Sequence, residues 1–316
     1  MALPDVAEPA GFQPSAAGDL TRYLDPETIS RISRLDLVAR LVVEGFITGL
    51  HRSPYHGFSV EFSEHRPYMP GDALRDLDWK ALAKTERLYV KRYEEETNVR
   101  AHLLLDCSGS MGFRSGGPMS KYRYACCLAA ALAHLMLRQR DAVGLMLFRD
   151  RPLTLVPPRS VQSHLRVLLA EMTRAEPEDD TRMAPAFHDL AERLSRRGLV
   201  IVLSDLLDDP AEVMTGLRHF RHRGHEVIVF HLLDPRERDL DFDRSDTRFV
   251  DLESPEDVLT TQPWHVQAEY RRRMEELQQT YARRCADARI DYCLVDTATP
   301  FDLALSRYLV RRRRLS

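Results

Sequence analysis

From Val99 to the C-terminus, short apolar runs alternate with stretches whose apolar residues recur at helical spacing. The runs predict strands near Ala101–Leu105, Ala142–Phe148, Leu199–Leu203, Val227–Leu232 and Tyr292–Val295. The helical stretches fall near Lys121–Arg138, Val161–Glu171, Ala184–Ser195, Ala211–Arg221, Val266–Ala288 and Phe301–Val310. V-R-A-H-L-L-L, L-V-I-V-L and V-I-V-F-H-L-L are nearly continuous in apolar residues, as strands covered on both faces must be. Strands alternating with helices predict an α/β fold: a doubly wound, mostly parallel sheet with helices on both faces. Leu153–Val156 reads as an antiparallel edge strand.

The first 98 residues have a different texture. Residues 1–22 are rich in Pro, Ala and Gly and read as a disordered lead-in. Asp25-Pro26-Glu27 then supplies a helix start, with an N-cap and proline in the first turn. Ile29, Ile32, Leu35, Val38, Val42 and Phe46 form one apolar face, and Gly45 and Gly49 are expected to end the helix. Beyond it, F-S-V-E-F at Phe58–Phe62, the turn Pro70-Gly71-Asp72 and R-L-Y-V-K-R-Y at Arg87–Tyr93 predict a small β-rich segment. The expected division is therefore 1–22 lead-in, 23–98 helix plus β-rich segment, and 99–316 the α/β domain.

Composition narrows the function classes. The chain has 316 residues and a net charge of -3, so it carries no overall field for nucleic acid or an anionic membrane. The longest apolar run, Leu128–Leu137, is too short to cross a bilayer and contains His134. The N-terminal stretch lacks the basic and apolar regions of a signal peptide. Five unevenly spaced cysteines form no disulfide framework, and the twelve histidines show no zinc-protease spacing. A cytoplasmic protein with reduced thiols is the expectation. Cys107, Cys126 and Cys127 read as packing residues, as does the helical face Tyr270, Met274, Leu277, Tyr281 and Cys285. Arg75–Trp79 (R-D-L-D-W) reads as a salt-bridged turn, and Arg311–Arg314 as a solvated basic tail.

The chemistry-bearing stretch is L-L-L-D-C-S-G-S-M-G-F, Leu103–Phe113. Asp106 ends the first strand of the sheet, Ser204-Asp205 ends another, and Thr181 stands at a helix entrance after the polar loop E-P-E-D-D. Ligands of such sheets bind outside the carboxyl ends of the strands, so all three positions face one rim. Asp106, Ser108, Ser110, Thr181 and Asp205 offer two carboxylates and three hydroxyls, a hard oxygen set suited to Mg²⁺ or Mn²⁺. Gly109 and Gly112 let the backbone turn tightly enough to aim both serines at one point. The alternative is a Mg-dependent phosphatase or hydrolase using Asp106. Aspartyl-phosphate chemistry asks for a second Asp two residues on, where Ser108 stands. A nucleophile elbow at Ser110 lacks its first glycine, again replaced by Ser108, and would need a base such as His231.

D-C-S-G-S resembles the D-x-S-x-S of the metal-ion-dependent adhesion site in von Willebrand factor type A domains. Thr181 and Asp205 fall where that family's third and fourth elements fall, although D-D-T replaces the usual glycine-led approach to the threonine. The resemblance implies that Ser108 and Ser110 bind Mg²⁺ directly and that the aspartates act largely through water. It also implies that Thr181 joins in one state and that a partner's Asp or Glu completes the shell. H-R-P-Y-M-P-G-D-A-L-R-D-L-D-W-K (His65–Lys80) and L-Y-V-K-R-Y-E-E-E (Leu88–Glu96), followed by the metal motif, resemble the bacterial family called domain of unknown function 58. Membership there implies a cytosolic, non-enzymatic partner of MoxR-type AAA+ ATPases, an adaptor or co-chaperone acting on a client protein. A monomer is expected.

Overall fold

The computed structural model describes residues 23–52, 66–67, 89–90, 99–178, 183–194, 196–242, 246–250 and 258–312. Phe58–Phe62, Arg75–Trp79, Thr181 and the basic run beyond Arg312 lie outside the described residues. Of the β-rich segment, β1 (Arg66–Pro67) pairs antiparallel with β2 (Tyr89–Val90).

The α/β domain is built on one sheet of six strands: β3 (Arg100–Asp106), β4 (Ala142–Phe148), β5 (Pro152–Arg159), β6 (Leu199–Ser204), β7 (Glu226–Leu233) and β10 (Asp291–Asp296). Their spatial order is β10-β7-β6-β3-β4-β5, parallel except for the edge strand β5. This is the doubly wound, mostly parallel sheet expected from the alternating pattern, antiparallel edge included. Chain order runs from β3 to β4 on one side and later resumes at β6 on the other, so the topological switch point lies between β3 and β6.

Side-chain parity divides the interior into two cores, because successive strand residues point to opposite faces. Leu103, Leu105, Ile201, Leu203, Ile228 and Phe230 face the first core. It is covered by α3 (Lys121–Arg138), α4 (His164–Arg174) and α9 (Phe301–Arg312), with α2 (Leu35–Arg52) packed on α3. Leu104, Val200, Val202, Val227 and Val229 face the second core, under α5 (Met183–Arg193), α6 (Pro210–His222) and α8 (Pro263–Asp287). Tyr281 and Cys285 of α8 are buried there and Met274 is buried on the same helix, as its helical spacing requires, and Cys107, Cys126 and Cys127 are buried in the first core.

One expectation is corrected. The helix foreseen from Pro26 through Phe46 is two helices, α1 (Pro26–Ser30) and α2, and α2 runs through both Gly45 and Gly49. The break is held from outside: Arg123 of α3 donates to the carbonyls of Ile32 (2.7 Å) and Ser33 (3.2 Å), which the interruption leaves without helical partners. A helical glycine costs only about 1 kcal/mol, less than is recovered by burying Val38, Val42 and Phe46. Two features lay outside the expected elements: the short helix α7 (Pro235–Asp239), and the outlying hairpin of β8 (Thr247–Val250) with β9 (Val258–Thr261). Among the described residues no helix is long and apolar enough to cross a membrane.

Candidate metal site at the switch point

Parity places the site. Asp106 at the end of β3 and Ser204 at the end of β6 follow the alternation onto the same face of neighbouring strands. The Ser204 hydroxyl donates to Asp106 Oδ2 at 2.6 Å. The Ser108 amide donates to Asp106 Oδ1 at 2.9 Å, which closes the chain back over the carboxylate before a short 3-10 turn at Gly109–Gly112. That turn brings the Ser108 and Ser110 hydroxyls to 3.1 Å from each other. The Ser108 hydroxyl also lies near enough to the Asp106 carboxylate, and the Ser110 hydroxyl to that of Asp205, to favour their ionised forms. Asp106, Ser108, Ser110 and Asp205 are thus one oxygen cluster outside the β3–β6 switch point, with Asp106, Ser108 and Asp205 completely buried. Thr181 lies outside the described residues, but the loop that leads to it is pinned to this turn. Glu178 donates its amide to the Cys107 carbonyl (3.2 Å), and Arg149 bridges that carbonyl and Glu176 O.

The residue after Asp205 shows what this geometry demands. Leu206 sits at φ 52°, in the left-handed region that costs a side chain about 1 kcal/mol or more. Its amide donates to Ser204 Oγ at 3.0 Å and its carbonyl accepts from the Tyr281 hydroxyl at 3.0 Å, so both β6 and α8 hold the turn.

Electrostatically the cluster carries an excess of buried negative charge. Burial, then the Asp205 carboxylate, push Asp106 up to about 7, against the hydrogen bonds from Ser204 and Ser108. Burial also works against ionised Asp205, yet the adjoining Lys121 ammonium outweighs it and holds Asp205 below the ordinary carboxylate range. Lys121 itself is completely buried and donates to Asp205 Oδ2 at 2.7 Å and to Glu237 Oε1 at 2.6 Å. Burial opposes its charge, but the two acids prevail and raise its pKa.

The donor chemistry fits a small divalent cation. Two carboxylates and two hydroxyls converge with no sulfur or nitrogen among them, and beside them Asp205 and the largely buried Glu237 share one buried ammonium. Among the described residues no three His, Cys, Asp or Glu side chains gather as a metal centre, so any cation here would depend on the serine hydroxyls.

The sequence reading missed Lys121, Ser204, Asp234 and Glu237. Lysine as the first residue of a helix was the available signal for the first, because a cation is disfavoured at the positive end of the helix dipole. D-P-R-E at Asp234–Glu237 carried the signature of a capping box, which forms at α7.

The span from the β-rich segment into α8, residues 64–281, matches the family described as "Protein of unknown function DUF58". The chain belongs to the DUF58 family. Within curated sequences, this DUF58 protein is 30% identical to the uncharacterized protein Rv1480 of Mycobacterium tuberculosis over 233 residues, covering 73% of this chain and 72% of the relative. Among solved structures it is similar to the conserved hypothetical protein BatB from Bacteroides thetaiotaomicron, with 17% identity, a TM-score of 0.47, and coverage of 68% of this chain and 99% of BatB. It is also similar to the SpRpn10 VWA domain, with 11% identity, a TM-score of 0.40, and coverage of 66% and 94%.

Proposed function

We propose that this DUF58 protein is a metal-dependent protein–protein interaction module. The observation that carries the reading is the pairing of two fully buried carboxylates, Asp106 and Asp205, with the Ser108 and Ser110 hydroxyls at the switch point. Mg²⁺, or Mn²⁺ in its place, would be held by Ser108 and Ser110, with Asp106, Asp205 and Thr181 around it. It would supply an electrophilic centre able to take a partner's Asp or Glu. Ser204 orients Asp106 by hydrogen bonding, and Tyr281 and Ser204 together hold the turn that carries Asp205.

On the resemblance in sequence, the partner is a MoxR-type AAA+ ATPase together with a client protein, in the cytoplasm, with this chain as monomeric adaptor. The rival catalytic reading is less well supported. Asp106 is engaged by Ser204 and the Ser108 amide and has no exposed oxygen for attack. His231, the base a hydrolase would need, is completely buried with its Nδ1 on the Tyr292 hydroxyl at 2.6 Å.

Calorimetric titration with MgCl₂ tests the site directly. Wild type is expected to bind, and Asp106→Ala and Ser108→Ala to bind far more weakly while remaining folded. Binding by both variants equal to that of wild type would remove the metal assignment. Pull-down of a MoxR-type ATPase in Mg²⁺ but not in EDTA is the expected partner result, and capture indifferent to EDTA would overturn metal dependence. Metal-dependent turnover of a phosphate ester that disappears in Asp106→Asn would favour the enzyme instead.

A further inference from the structure

Lys121 occupies a position that three physical effects oppose. It is the first residue of α3, where the helix dipole repels a cation. Its side chain has no exposed surface, and burial disfavours the charged form. It also borders the cluster where a divalent cation fits. What holds it are two acids that share its ammonium, Asp205 at 2.7 Å and Glu237 at 2.6 Å, with the Phe113 ring 5.9 Å from the nitrogen.

The two acids are not equivalent. Asp205 belongs to the oxygen cluster, with Ser110 beside it favouring its charge, while its Oδ1 accepts the Leu207 amide at 3.3 Å. Glu237 belongs to α7, and its second oxygen accepts the Asp234 amide at 3.1 Å. The Asp234 carboxylate in turn accepts the amides of Ser115, Gly116, Gly117 and Arg236. One ammonium therefore joins the candidate metal cluster to a separately anchored acid.

From this we infer that Lys121 is a built-in counter-cation that competes with a divalent ion for Asp205, with Glu237 as its second holder. The inference rests on the metal reading above. A divalent ion among Asp106, Ser108, Ser110 and Asp205 brings two positive charges against the ammonium within the same buried volume, where charge repulsion is poorly screened. Capture of the ion draws Asp205 away from Lys121, and Glu237 retains the displaced ammonium. Ion binding is thereby coupled to the α7 end of the molecule, and divalent affinity is set lower than the oxygen donors alone would give.

Titration of the full chain with MgCl₂ in the calorimeter, on wild type, Lys121→Met, Glu237→Gln and the double variant, tests this. Lys121→Met is expected to bind Mg²⁺ about tenfold more tightly than wild type, the effect of removing one unit charge at short range. Glu237→Gln is expected to bind about tenfold more weakly, because the ammonium keeps Asp205 as its sole acid partner. The double variant should follow Lys121→Met, since Glu237 acts through the lysine. It also loses an acid together with the ammonium, so it carries the test if Lys121→Met alone fails to fold.

Wild type that binds Mg²⁺, beside lysine-less variants that bind no more tightly, would overturn the counter-cation role and leave the metal site standing. A double variant weaker than Lys121→Met by the full Glu237→Gln factor would overturn the relay to Glu237. Binding by the lysine-less variants alone would support the competition in its strongest form. Failure of all four proteins to bind would overturn the metal reading, and this inference with it.

Discussion

The amide of Gly116 donates to Asp234 Oδ1 at 2.7 Å, a bond that joins residues 118 positions apart in the chain. The same carboxylate takes three further amides, from Ser115, Gly117 and Arg236, and these outweigh burial to hold Asp234 below its ordinary range. A carboxylate that satisfies four backbone donors is hard to replace. Asp234→Ala is expected to lower unfolding stability by about 2–4 kcal/mol, because the amides it gathers lose a charged acceptor. Urea unfolding at pH 7 measures the loss.

The same loop explains a glycine. A Cβ on Gly117 would overlap the hydroxyl of Thr297, which is completely buried and has no hydrogen-bond partner among the described residues. Gly117→Ala is therefore expected to cost about 1–3 kcal/mol. Thr297→Ala, which removes the overlapping oxygen, should cost little alone and recover part of that loss in the double variant. Additive unfolding energies would show that the two residues do not meet.

Asp106→Asn separates stability from ion binding. The side chain keeps its shape, while the charge that burial and Asp205 oppose is gone. In EDTA at pH 8 the variant should be as stable as wild type or more stable, by up to roughly 2 kcal/mol. The thermal shift produced by MgCl₂ in wild type should be lost. Thermal denaturation with EDTA and with MgCl₂ supplies both readings.

His102 predicts an acid-sensitive fold. It is buried on β3 with no partner for Nδ1 among the described residues, and burial, then the neighbouring His225 and Arg100, lower its pKa to about 4. The unfolded chain takes up this proton near pH 6.5, well before the folded one does. Stability is thus fully present above about pH 6.5 and is lost as pH falls toward 4, by about 2 kcal/mol at pH 5 from this residue. His102→Leu should show a smaller drop between pH 7 and pH 5 in urea unfolding. An unchanged drop would assign the acid sensitivity elsewhere.

Much of the fold was legible because the signals were local. The continuous apolar runs marked β3, β6 and β7, and the 3.6-residue spacing marked α3, α6 and α8, since burial on both faces or on one stripe leaves that period in the residues themselves. The clustering of Asp106, Ser108, Ser110 and Asp205 was likewise foreseeable, because strand ends in a parallel sheet share one rim. The break between α1 and α2 was not, since Arg123 holds it from another helix. Nor was the electrostatic partner of Asp205.

By itself, then, the order of residues determined the element sequence, the parallel sheet and the rim on which the oxygen donors gather. Only the tertiary structure decided that Lys121, eighty-four positions before Asp205, shares its ammonium between that residue and Glu237. The physical reason is that charge pairing acts through space and is strongest where water is excluded. No local periodicity records which acid a buried lysine will meet.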